Sequence, residues 1–160
     1  MAWAEVYELP VLAFRFFNVY GPLQSPDHTY AAVVPAFVDA AVAGRALPIH
    51  GDGTQTRDFT YGGTVCDVLT DALADRVTYD GPVNLAFGTR VSLLELVAEL
   101  EAALGHPVER DHRPVRAGDV RESQASTERL VSIFGGVRPV PLADGLSETV
   151  RWHRGRRPQG

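Results

Sequence analysis

The chain has 160 residues, 45% of them hydrophobic, and fifteen basic against twenty acidic side chains, for a formal net charge of −5. That is the composition of one folded domain able to bury a core, and it excludes a disordered or fibrous chain. Every basic residue is an arginine, so no lysine is available for a Schiff base, a Walker-type phosphate contact or the activation of a tyrosine base.

The acidic balance argues against a nucleic-acid partner, and the basic run Arg151, Arg154, Arg156 and Arg157 reads as a solvated terminus. A lone cysteine, Cys66, is expected to be a small core residue of a reduced protein. With no apolar run of about eighteen residues and no leader pattern, no membrane partner and a cytoplasmic location are expected.

In chain order, residues 2–8 read as the end of a helix, and LPVLAFRFF (9–17) as a strand covered on both faces, stopped by Asn18, Gly21 and Pro22. Apolar pairs four apart (Val33/Val34, Phe37/Val38, Ala41/Val42) predict a helix over 30–43, ended near Gly44. Strand-like pieces at 47–50 and 57–61 flank the turn GDGTQT. The next helix is expected over 65–76, capped by Thr64, with Val65, Val68, Leu69, Ala72 and Leu73 facing the core.

VNLAF (83–87) reads as a second buried strand. Ser92 with Glu95 is a capping box, Leu93, Leu96, Val97, Leu100 and Leu104 form a stripe, and Gly105 is the stop. A short strand over 108–113 and helices over 126–134 and 142–154 complete an α/β pattern. Only the strands near residues 13 and 85 look buried enough for a central parallel sheet. Such a pair exposes edges and faces, so its missing neighbours are expected from another chain, a separate N-terminal half or a homo-oligomer.

GDGTQT does not fit the dinucleotide fingerprint, because the third glycine and the following helix are missing. His28, His50, His106, His112 and His153 lack metal-ligand spacing, and no serine sits in a nucleophile elbow. What remains is Asn18 beside a strand, Arg57 in QTRDFTY, and Arg116 with Asp119 in RAGD. Arginine forks suit phosphate, an amide can donate to a phosphate oxygen, and a carboxylate can accept from ribose hydroxyls. On spacing alone, surface ion pairs are the favoured reading.

RFFNVYGP (15–22), YAAVVP (30–35), IHGDGTQTRDFTY (49–61), VNLAFG (83–88) and RAGDVRES (116–123) resemble, in order and spacing, the C-terminal half of the extended short-chain dehydrogenase/reductases. These are the NAD-dependent sugar-nucleotide epimerases and dehydratases, and the likeness is greatest to the UDP-glucose and UDP-N-acetylglucosamine 4-epimerases. The ending from Trp152 through Gly160 is similar to a hexose 4-epimerase tail.

The resemblance implies the last strands of a Rossmann-type parallel sheet (1–22 and 83–105) and a small α/β substrate-binding lobe (23–82 and 106–160), with the NAD-binding portion absent. It implies a UDP-sugar partner, UDP-glucose, UDP-galactose or their N-acetyl forms. Asn18 would hold the diphosphate, the Ala32–Val33 backbone would touch the nucleotide, and Ile49 and His50 would border the uracil. Arg57 and Arg116 would clamp the phosphates, Asp119 would bind the ribose, and Ser123 would leave room at the sugar's C2 substituent.

The resemblance also marks departures. The family's glycine-rich NAD loop and Tyr-x-x-x-Lys pair do not occur, so NAD, the parent cofactor, is not expected to bind tightly to this chain alone, and no catalytic residue is assigned. Gly62, Gly63 and Thr64 stand where the family reads valine and two aspartates, a change that weakens the helix start by about 1–2 kcal/mol. The expected function is the UDP-hexose-binding portion of a 4-epimerase, inactive by itself. The alternatives are half of a split enzyme, a decayed gene product, or a non-catalytic UDP-sugar-binding module.

Overall fold

A computed structural model describes residues 6–25 and 32–156. His28, Tyr30, Ala31, Arg157, the tail from Pro158 and the start of the first expected helix lie outside these residues. The fold is α/β. Strand β1 (Ala13–Phe16) runs parallel to β6 (Pro82–Leu85), placing Phe14 opposite Val83 and Phe16 opposite Leu85. β2 (Val19–Tyr20) is parallel to β5 (Thr60–Tyr61), and β3 (Leu47–His50) to β8 (Arg110–Arg113). β4 (Thr56–Arg57) is antiparallel to β7 (Val91–Ser92). Among the described residues each sheet is a pair.

The helices are α1 (Val33–Val42), α2 (Gly62–Ala74), α3 (Leu93–Leu104), α4 (Glu128–Ile133) and α5 (Leu142–Arg156). Helix α3 forms as its sequence dictates. The Ser92 side chain accepts from Glu95 N–H while Glu95 accepts from Ser92 N–H, and the helix closes at Gly105 in a left-handed conformation (φ 81°) that glycine adopts without strain. Leu93, Leu96, Val97, Leu100 and Leu104 are its buried residues, as the spacing requires.

That stripe packs with α1, β3 and α5 in one cluster, including Phe37, Val38, Leu47, Ile49, Leu146 and Val150. The stripe is turned toward α5, whose Leu146 and Val150 belong to the same cluster. A second cluster joins Val65 and Val68 of α2 to Val83 and Leu85 of β6 and Leu130 of α4, with Leu12 and Phe14 against it. Phe14 meets Phe134 at 6.2 Å between ring centroids.

Helix α2 departs from expectation in three ways. It begins at Gly62, with Tyr61 rather than Thr64 in the capping position and with no acidic residue in its first turn. Thr64 is instead buried inside the helix, where its hydroxyl accepts from the Val140 N–H at 3.1 Å. Leu69 and Leu73 do not face the core, being 36% and 80% exposed, and Cys66 is exposed as well. The helix is rotated so that Thr64, Val65, Val68 and Ala72 meet the sheet, which leaves the other apolar residues outward. Strand β1 also differs from a strand covered on both faces, since Phe16 is 56% exposed and, among the described residues, no strand pairs with its other edge.

Among the described residues no helix is long and apolar enough to cross a membrane, and no group of three or more His, Cys, Asp or Glu side chains could hold a metal ion.

Candidate functional site

A cavity of about 360 Å³ opens where the N-terminus of α1, the end of β1, strand β4 and the loop after β8 meet. Its walls include Asn18, Ala32, Val33, His50, Arg57, Arg116 and Asp119, so these sequence-selected residues are brought together from distant parts of the chain. The volume lies within the usual range of small-molecule sites.

Helix α1 presents its first turn to the cavity, with Ala32 in extended geometry (φ −61°, ψ 150°), no side-chain cap and no acidic residue within that turn. Its leading N–H groups therefore face the cavity without an internal partner, a local positive end suited to an anion. Pro35 in that turn removes no helical hydrogen bond.

Asn18 sits between β1 and β2, where its Nδ2 donates to the Asp58 carbonyl at 3.2 Å and its own carbonyl accepts from Thr60 N–H at 3.2 Å. That contact fixes the carboxamide and leaves its second N–H for another acceptor. Arg57 Nη1 donates to the Thr56 carbonyl at 2.8 Å, and its Nη2 forms an ion pair with Asp119. Asp119 closes a turn by donating its N–H to the Arg116 carbonyl at 3.1 Å, with Gly118 at φ 81° inside it. The loop is then stitched to β4 by Thr56 N–H to the Arg121 carbonyl and Ser123 N–H to the Thr56 carbonyl, at 2.9 and 3.2 Å.

Two of the sequence-selected residues fall elsewhere. Ile49 does not border the cavity: it is fully buried in the core, and the alternation of β3 turns Pro48 and His50 to the cavity instead. Ser123 is half-buried and fastened to Thr56 by its backbone, and it does not line the cavity. His50 Nδ1 donates to the Pro114 carbonyl at 3.0 Å, and its buried Nε2 has no partner among the described residues.

Sequence reasoning missed the supports. Asp58 is fully buried, and its carboxylate accepts from Gly88 N–H (2.9 Å), Thr89 N–H and hydroxyl (3.2 and 2.9 Å) and Ala125 N–H (3.2 Å). It thereby clamps the 88–89 loop and Ala125 onto the segment that carries Arg57. A buried carboxylate is tolerated only with such donors, and none is near it in sequence. Gln55 is also buried, and its amide donates to the His50 carbonyl at 2.6 Å from a cavity-lining position.

Tyr20 and Phe59 form the apolar floor, edge to face at 6.3 Å. Burial, reinforced by Tyr61 and Asp144, pushes the Tyr20 phenol well above the ordinary tyrosine range. In the turn after β3, the backbone N–H of Thr54 and then its hydroxyl hold the Asp52 carboxyl below the usual carboxylate range.

Known proteins share this arrangement of chain. The model of the NAD dependent epimerase/dehydratase family matches residues 1–86. The chain belongs to that family. It is 34% identical to the UDP-glucose 4-epimerase of Mycolicibacterium smegmatis over 96% of its own length and 49% of that protein's. Among solved structures, UDP-N-acetylglucosamine 4-epimerase from Methanobrevibacter ruminantium M1, in complex with UDP-N-acetylmuramic acid, superimposes with a TM-score of 0.87 at 31% identity, over 98% of this chain and 50% of that one.

UDP-glucuronic acid 4-epimerase from Bacillus cereus, in complex with UDP-glucuronic acid and NAD, gives 0.83 at 25% identity, over 96% and 48%. The chain thus spans about half the length of the relatives it matches. Family members of Rossmann type account for its α/β fold of small parallel sheets.

Proposed function

We propose that this chain is the UDP-sugar-binding portion of an NAD-dependent hexose 4-epimerase and that it holds its ligand without turning it over by itself. The observation that carries this reading is the convergence of Asn18, Arg57, Arg116 and Asp119 on one cavity at the mouth of an uncapped helix. The α1 N-terminus, Asn18 and the two guanidinium groups would hold the diphosphate, and Asp119 would accept from the ribose hydroxyls. His50 and Pro48 would border the base. Ser123 would stand near the sugar's C2 substituent, so that N-acetylated as well as plain hexoses would be admitted. Residues 1–22 and 83–105 would be the sheet portion, the rest the substrate lobe, and the setting cytoplasmic.

NAD is implied by the family, and these residues do not offer it a seat. The turn at Gly51–Gly53 leads from β3 into β4 and not into a helix, so no N-terminus follows it to receive a pyrophosphate. With no lysine in the chain, a Tyr-x-x-x-Lys pair cannot form either. The described residues bind and orient, and the proton and hydride chemistry belongs to a polypeptide segment other than these 160 residues. The edge of β1 left unpaired among the described residues, beside the exposed Phe16, favours a separate half that adds a strand there.

Thermal melting with and without UDP tests the binding part. At about 100 times Kd, native-state binding adds about 2.7 kcal/mol, so a clear rise in Tm is expected. A flat response, with no heat of binding in calorimetry, overturns the reading. Turnover of UDP-glucose by the purified chain with added NAD would overturn the claim of inactivity.

A further inference from the structure

We infer that Asp119 makes this cavity selective against bare polyphosphate anions, because its carboxylate occupies Arg57 until a ligand brings hydroxyl donors that engage it. The inference rests on reading the cavity as a nucleoside-diphosphate site.

Both partners of the pair are largely withdrawn from water, with side-chain exposures of 16% for Arg57 and 26% for Asp119. Both are tethered. Arg57 is fixed through the Thr56 carbonyl, and Asp119 lies between its turn onto Arg116 and the stitches at Arg121 and Ser123. Arg116 lines the same cavity and has no carboxylate partner among the described residues.

An entering diphosphate therefore meets one available guanidinium and one already neutralised. A ligand made only of phosphate must share Arg57 with the Asp119 carboxylate, setting two anions on one cation at short range. A ligand with hydroxyls next to its phosphates donates to Asp119, which spreads the carboxylate charge and turns the repulsion into charge-assisted hydrogen bonds. The same group thus rejects one class of ligand and welcomes the other, which is how a site gains discrimination beyond raw affinity.

Calorimetric titration of the full chain with inorganic pyrophosphate and with UDP, in metal-free buffer, tests this. Asp119→Asn is expected to bind pyrophosphate about three- to tenfold more tightly, a gain that shrinks at high salt, while UDP binding does not tighten. Asp119→Ser should behave alike and serves if the first variant melts early.

Glu122→Gln removes a charge three positions along the loop, where Glu122 pairs with Arg90 and does not line the cavity, and should change neither ligand by more than about twofold. Pyrophosphate affinity that is unchanged, lowered or still immeasurable in both Asp119 variants overturns the inference. So does an equal gain in Glu122→Gln, or an equal gain for UDP. Binding of neither ligand by the unaltered chain would instead overturn the nucleotide-site reading beneath it.

Discussion

The cluster beneath α1, α3 and α5 and the cluster beneath β1, β6 and α2 are both buried at their centres, but the elements around the second also carry large apolar side chains in water. In the first, Leu96, Val97 and Leu146 are at most 1% exposed, whereas Phe16 of β1 and Leu73 of α2 are 56% and 80% exposed. The difference teaches that burial follows from the supply of neighbours. Within the described residues α3 finds α1 and α5 to cover it, and β1 finds β6 on one edge only.

The contrast can be broken by substitution. The largest effect is expected for Leu96→Ala, which opens a void in the first cluster and should lower unfolding free energy by about 2–5 kcal/mol in denaturant titrations. Next comes Gly145→Ala in α5. A Cβ there would lie 2.3 Å from Tyr20 Oη and 2.8 Å from the Tyr61 ring, and the buried Tyr20 ring cannot yield freely. Overpacking is expected to cost up to about 3 kcal/mol, more than the gain of about 1 kcal/mol from replacing a helical glycine, so a net loss is expected.

Ser92→Ala removes one half of the α3 capping box and should cost about 1 kcal/mol by thermal melting. The other half adds a pH signature. Hydrogen bonds from the Ser92 N–H and then its hydroxyl hold the Glu95 carboxyl below the usual carboxylate range. A lowered folded-state pKa means stabilisation that is present above the unfolded value of about 4.3 and lost as pH falls through the folded one. The Tm difference between Glu95→Gln and the unaltered chain should therefore narrow in acid.

The smallest effect is expected for Leu73→Ser, within about 0.5 kcal/mol for the chain alone, because the side chain already stands in water. If that substitution proved as damaging as Leu96→Ala, the contrast between these two regions would be wrong.

Much of this was legible in the sequence because some signals are local. The Ser92–Glu95 box, the 93–104 stripe and the stop at Gly105 lie within one short segment and needed no outside partner. Arg57, Arg116, Asn18 and Asp119 were legible as motifs, and their meeting in one cavity follows from β4 and the 116–123 loop being stitched together at Thr56. Asp58 was not legible as a clamp, because its donors come from residues 30, 31 and 67 positions away.

The apolar run of 9–17, the helical spacing of α1 and α3, and the absence of lysine were settled by the order of residues, since propensity, capping and composition act over a few neighbours or none. Which face of α2 turns inward, whether Ile49 or His50 meets the cavity, and the pairing of Arg57 with Asp119 were settled only by packing. Each depends on groups far apart along the chain, and a side chain's surroundings exist only once those groups have come together.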